Sequence, residues 1–319
     1  VAIMPQLIFL ENMKSLLTSS IFLSLALFFI GCNGGENTPG AGVIEKEVEL
    51  FVAPETPEAT VDAFSQAIQS NQPDAIYNLL PKSYQTELNG LVKQFAEGMD
   101  ATLWNDANDL IKQATGIMKD KKDLIMQLEE VQDQRAELNQ NWGDLVKTLD
   151  SVTNSDFMDL EKLKKGDING LLKNSGRGMM NSIMDSAKKM DKDGQIDTFM
   201  NMVKGVQTEV LSSADGTAKL KLSSADGKET EELDMVQVDG AWIPAEIAKN
   251  FDGMIAQAKD GLTSIHKDSE NFQSIKGMAG LGMMMAKGTL AKIDAAKTPK
   301  ELKDAAGSIF DSLGGMLGQ

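Results

Sequence analysis

A single cysteine, Cys32, and a single histidine, His266, set the first limits on this chain. One thiol excludes an intramolecular disulfide and a thiolate metal cluster. One imidazole excludes zinc sites that need two or more histidines, and it leaves few general bases tuned near neutral pH. Aromatic residues are scarce at 5%, while methionine is plentiful at 19 residues. A core of this kind is filled by flexible thioethers rather than rigid rings. Positive charge is also in short supply, and the formal charge is −16. A phosphate backbone or an anionic membrane surface repels such a chain. Nucleic acid is therefore a poor partner, and the acidity reads first as solubility. No Gly-x-Ser-x-Gly elbow, phosphate-cradling glycine loop or paired metal motif stands out. Carboxylates are abundant, but nothing in their spacing singles out a catalytic pair. No catalytic, cofactor-binding or metal residue is assigned, and no cofactor is expected. What the chain does have is apolar bulk. Apolar residues make up 42% of its 319 residues, enough for one large domain or two small ones with a buried core.

The strongest local signal lies near the beginning. Met13-Lys14 opens an apolar run from Leu16 to Ile30, interrupted only by Thr18, Ser19, Ser20 and Ser24. A short basic start, an apolar stretch and then small residues describe a secretory signal. The run is shorter than the ~20 residues of a membrane-spanning helix. Met13 begins a better signal than Val1, so Val1 to Asn12 are expected to be missing from the product. Phe29-Ile30-Gly31-Cys32 resembles the bacterial lipobox, where a signal peptidase cuts before a cysteine already carrying diacylglycerol. Phe29 stands where that motif usually has Leu or another aliphatic residue. The resemblance implies a signal peptide over 1–31 and lipidation at Cys32. It also implies anchoring to the outer (or inner) membrane, facing the periplasm, and Asn33 in place of Asp favours the outer one. Several acyl chains anchor stably where one binds only marginally. The competing reading is an uncleaved anchor or a buried helix with a chance cysteine.

Residues 32–55 read as the lipidated cysteine and a tether. Asn33 to Gly42 contains Gly, Asn and Pro without periodicity, and Val43 to Val52 is either a short strand or more tether. Thr56-Pro57-Glu58 then starts a helix with a capping hydroxyl, a proline suited to the first turn and an acid at the positive end. Val61, Phe64, Ala67 and Ile68 share one face. Asn71 is expected to cap a second short helix ended by Pro81, and Ser83 to begin a third, the three occupying 56–97. Far downstream, over 206–245, β-like runs are separated by Ala214-Asp215-Gly216, Ala225-Asp226-Gly227 and Asp239-Gly240. Such turns between alternating runs predict a four-stranded antiparallel meander with one face buried. A parity change from Leu233 and Met235 to Val236 and Val238 predicts a bulge in the third strand.

The segment 56–84, TPEATVDAFSQAIQSNQPDAIYNLLPKSY, and the meander ending VDGAWIP at 238–244 resemble the NTF2-like superfamily, in the form found in bacterial lipoproteins of uncharacterised function. The resemblance covers about a third of the chain. It implies a cone-shaped α+β cup that can hold a ligand, with Trp242 against the first helix, and it implies no catalytic set. The expected fold class is α+β and predominantly helical, with NTF2-like helices on the meander. A long helical insertion and a helical C-terminal extension depart from the family pattern.

The insertion, 98–205, contains no strand-like run. Apolar positions step by four and three from Leu110 to Leu149, with Lys121 and Arg135 as basic interruptions of the seam. One unbroken helix here would span ~60 Å, with Gly116 and Gly143 as places to bend. An antiparallel hairpin is the first reading, and a coiled-coil arm that dimerises or grips a partner is the second. The extension, 246–319, is helical in pattern and includes a Gly-Met stretch from Met278 to Met285. That stretch reads as core packing, or as a peptide-binding or membrane-touching surface. Asp191-Lys192-Asp193-Gly194 echoes a calcium loop, but Lys189 and Met200 occupy its strongest ligand positions, so a helix-connecting turn fits better. His266, in a helical stretch, reads as solvated or capping. The expectation for function is a non-catalytic binding or scaffolding module with an envelope protein or a small apolar ligand as partner. An enzyme using carboxylates inside the cup and a structural envelope spacer are the rivals.

Overall fold

The structure, a computed structural model, describes residues 52–191, 194–225, 227 and 230–307. It is mostly helical, with one four-stranded antiparallel sheet. Helix α1, Pro57–Gln69, begins at the Thr56-Pro57 signal, and the Thr56 hydroxyl accepts from the Ala59 N–H at 3.2 Å. Helix α2, Pro73–Asn78, is not capped by Asn71. Gln72 stands at the cap, and Asn71 takes a left-handed backbone, φ 49°, in the turn before it. Helix α3, Lys82–Gly98, begins after Pro81 rather than at Ser83. Its first turn is capped from a distance, because the Ser83 N–H donates to Asp239 Oδ2 at 2.9 Å. Hydrogen bonding from Ser83 holds the Asp239 carboxyl below the usual carboxylate range.

Strands β1 (Gln207–Ala214), β2 (Thr217–Ser223), β3 (Thr230–Val238) and β4 (Ala241–Pro244) pair in chain order. The β1–β2 and β3–β4 turns have positive φ at both central residues: Asp215 and Gly216, then Asp239 and Gly240. That is the backbone of the tight hairpin turn whose twist matches the strands. The expected bulge is absent from β3, which keeps an unbroken register against β2 and β4. The ladder slips in β1 instead, between Val210 and Ser212. The parity change in β3 has another cause. Leu233 and Met235 join Ala218, Leu220, Leu222 and Val61 in one core, while Val236 and Val238 pack on a second core on the opposite side. So β2 has one buried face, as a half-covered strand should, but the end of β3 is covered on both. In β4 all four residues are buried.

The second core lies between α3 and helix α11, Ala245–Ser264. Tyr84 stacks on Phe251 with ring centroids 3.5 Å apart, and Leu91, Val92, Ile247, Ile255 and Leu262 fill the interface.

The helical segment that follows α3 is not one long rod. Helix α4, Ala101–Asp120, leads through α5, Lys122–Ile125, and a 3₁₀ turn, Glu129–Gln134, into helix α6, Arg135–Thr153. Gly116 and Gly143 lie inside α4 and α6, so the break falls between them. The two helices form an antiparallel hairpin. Trp142 Nε1 donates to the Met118 carbonyl at 3.2 Å, and Lys119 reaches Asp150 at 2.7 Å. The seam lysine, Lys121, reaches the Ala296 carbonyl at 3.0 Å, where a cation suits the negative end of a helix. After a 3₁₀ turn, Asp156–Met158, come α7, Leu160–Leu163, and α8, Ile168–Leu171. A π turn, Leu172–Gly176, then leads into α9, Arg177–Met190, and α10, Gln195–Gly205. Helix α12, Glu270–Ala295, packs on α4, and a helical stretch over 299–307 follows. The main helical contacts run in a row, α12 on α4, α4 on α6, α6 on α9.

One ion pair fastens this row to the body, and a second joins two of its members. Arg177 grips Asp74 with two hydrogen bonds of 2.7 and 2.6 Å, and the aspartate side chain is only 8% exposed. The fork geometry ties α9 to α2. Arg177→Ala strands a buried carboxylate and should lower the unfolding free energy by roughly 2–3 kcal/mol, read as a lower urea midpoint at unchanged slope. Asp100 caps α4 through the Leu103 N–H at 3.0 Å and pairs with Lys276 of α12 at 2.6 Å. The Lys276 hydrogen bond first, and the Leu103 bond second, hold its carboxyl below the usual range. A depressed folded pKa contributes stability above the ordinary carboxylate value, and that stability is lost as pH falls through the folded value. Asp100→Asn keeps a capping oxygen and removes the charge. It should cost about 0.5–1 kcal/mol at neutral pH, and melting curves of the two proteins should converge in acid.

Candidate functional site

Apolar side chains fill most of the space between α1, α2 and the sheet. Val61 and Phe64 descend from α1, Ile76 and Leu79 from α2, and Leu233, Met235 and Trp242 rise from the sheet. The space left between them is about 40 Å³. Room for a water or two lies far below the ~300–1,000 Å³ of a small-molecule site. The lining is apolar apart from Thr60, whose hydroxyl donates to the Thr56 carbonyl at 3.1 Å. Among the described residues no carboxylate lines this space. Trp242 shares the sheet-side core with Val61, and its Nε1 donates to the Glu55 carbonyl at 3.0 Å. This bond fixes where the chain enters α1.

Buried hydroxyls nearby are structural in their chemistry. The Tyr77 hydroxyl lies 3.0 Å from both the Gln85 carbonyl and Asn89 Oδ1. Burial, helped by the Asp167 charge, pushes its pKa upward. Tyr84 is pushed the same way, by burial first and by Asp252 and Asp239 after it. Raising a phenol's pKa makes it harder to ionise, which suits a hydrogen-bond donor and not a base.

A larger cleft, about 530 Å³, runs between α6 and α9. Leu138, Leu145, Ile183 and Ala187 give it an apolar floor, with Asn141, Asp144, Thr148 and Ser186 among them. Gln134 and Glu137 line it too, and Asn141 Oδ1 is buried without a hydrogen-bond partner, while others of these polar groups are paired. Thr148 Oγ1 lies 2.8 Å from Ser186 Oγ, and Asp144 pairs with Lys189 of α9 at 2.6 Å. Leu145 and Ile183 are partly open to solvent.

The residues singled out in the sequence fall in different places. Cys32 and the whole signal segment lie outside the described residues, as do Asp193 and the chain from Ser308 onward. His266 is in the turn between α11 and α12, not in a helix. Its Nδ1 accepts from the Asp268 N–H at 3.2 Å, and its ring covers Gly98, where an added Cβ would sit 2.7 Å from Cδ2. Glycine at the end of α3 therefore makes room for that imidazole. In the calcium-like segment the Asp191 carboxylate accepts from the Ile196 N–H at the start of α10, while Lys189 turns away to Asp144. Gly194, with φ 65°, makes the bend between α9 and α10. Sequence reasoning missed the Asp239 cap, the Asp74–Arg177 fork and the α6–α9 cleft. The first two join residues more than a hundred positions apart and leave no local signal. The cleft had one, since Leu138 and Leu145 already stood on the heptad seam.

Fold and site together define a class: a mostly helical α+β protein with a four-stranded antiparallel sheet and a cleft between α6 and α9. Comparison with family models, characterised proteins and solved structures finds no match to the chain. Trp242→Phe removes the bond to Glu55 and part of the indole's volume and should cost about 1–2 kcal/mol, whereas Trp242→Ala empties the site and should cost about 3–5 kcal/mol. Thermal melts of the two variants check the difference.

Proposed function

We propose that this protein is a membrane-anchored envelope lipoprotein whose body is a non-catalytic binding or scaffolding module. The observation that carries the reading is the Phe29-Ile30-Gly31-Cys32 junction behind the apolar run from Leu16 to Ile30. It supports a signal peptide cut before Cys32 and acyl chains on its sulfur and amine. The body would be an NTF2-like cup elaborated by helices. A space of about 40 Å³ with an apolar lining supports a filled, load-carrying cup over a reaction chamber. The rival enzyme needs carboxylates converging in that space. The spacer reading needs a helical arm standing free of the cup, whereas Trp104 of α4 packs edge-on against Phe95 of α3 and Arg177 ties α9 to α2. The α6–α9 cleft is the surface best suited to an envelope protein or a small apolar ligand.

Mass spectrometry of the protein from native membranes tests the anchor. The expected product begins at Cys32 and carries diacylglycerol and a further acyl chain. Cys32→Ser should move the protein out of the lipidated fraction. A chain that keeps its leader and an unmodified thiol at position 32 would falsify the reading.

A further inference from the structure

We infer that the outer face of α12 lies on the lipid surface to which the chain is tethered. The inference deepens the lipoprotein reading and rests on it. From Gly277 to Ala286 the helix carries no charged residue. Its inner side packs on α4. Its outer side exposes Met278 at 65%, Leu281 at 45% and Met284 at 63%. A helix that is apolar on both sides needs cover on both sides.

Three features choose lipid over a second copy of the chain. The outer patch is on the order of a few hundred Å², well short of the ~800 Å² per partner that a stable dimer buries. The lysines that border it do not face a partner. Lys276 and Lys287 are turned inward onto Asp100 and Asp106, each at 2.6 Å. The patch is thus electrically neutral, which suits a zwitterionic lipid surface better than an anionic one. Reach is also sufficient. Residues 33–51 separate the lipidation position from Val52 and span at most ~70 Å, while α11, the element between the Trp242–Glu55 entry and α12, is ~30 Å long. An anchor in the same bilayer keeps the local lipid concentration high, so a modest patch suffices. Among the described residues no helix is long and apolar enough to cross a membrane. The contact is therefore interfacial.

The anchor supplies its own experimental advantage. Once Cys32 is a thioether, an introduced cysteine is the only free thiol. The full chain carrying Met278→Cys or Met284→Cys is labelled with bimane and reconstituted into phosphatidylcholine vesicles with brominated acyl chains. Lys147→Cys, on the exposed side of α6, is the reference. At the ~5–10 Å depth of an interfacial helix face, bromine should quench the labels at 278 and 284 roughly twofold and leave 147 unaffected. Equal quenching at all three positions, or none, overturns the inference. So does a signal at 278 that depends on protein concentration instead of bromine, which would mark a second copy as the occupant. The mass of Cys32 in the same sample reports the anchor separately. If it is bare, the labels are placed in the Cys32→Ser chain with the same vesicles. Quenching there upholds the lipid face while the anchor fails, and its absence overturns the lipid face too.

Discussion

Strand β4 is only four residues long, and the architecture turns on its having no exposed side. Trp242 points toward α1 and Ile243 toward the α3–α11 core. The turn before it supplies Asp239, which caps α3, and the strand continues directly into α11. One short segment therefore binds the sheet to the first helix and both cores to each other. Its indole nitrogen also fixes the point where the chain enters the domain. Polar groups in so enclosed a place must each find a partner, because burial without one costs about 1–3 kcal/mol.

That enclosure bears on function. The space between α1, α2 and the sheet is about 40 Å³ and is lined by apolar side chains. The α6–α9 cleft exposes Leu145 and Ile183 beside Glu137 and Asp144, and the α12 face exposes Met278, Leu281 and Met284. The chain's net charge of −16 thus reaches the cleft through Glu137 and Asp144, while no charged residue lies between Gly277 and Ala286 of α12.

Much of the fold was legible because it is written locally. The Thr56-Pro57 start and the two Asp-Gly hairpins rest on backbone chemistry that a few neighbouring residues decide. The errors arose where distant parts of the chain intervene. Asn71 looked like a cap, but Pro73 with Gln72 starts the helix and leaves Asn71 to the turn. The parity change at Val236 looked like a bulge because periodicity assumes one buried face, and β3 has two. Gly116 and Gly143 looked like breaks because glycine is a poor helix former, yet both are accommodated within helices held by tertiary contact. Of the candidate site, the heptad pattern marked Leu138 and Leu145 but could not say that α9 would stand beside them. The chemistry assigned to Cys32 belongs to a part of the chain that the structure does not describe.

The row of helices α12, α4, α6 and α9 has a mechanical consequence. Each member holds mainly to its neighbours, and the row is clamped to the body at α4 through Trp104 and at α9 through Arg177. Helix α12 sits outside both clamps. Opening free energy should thus be graded across the molecule, lowest at this outer helix and highest around Leu91 and Leu163, which are almost wholly enclosed. Backbone amides of α12 would exchange with solvent deuterium while those of α3 stay protected. The same gradient would let the outermost helix shift its seat without loosening either core.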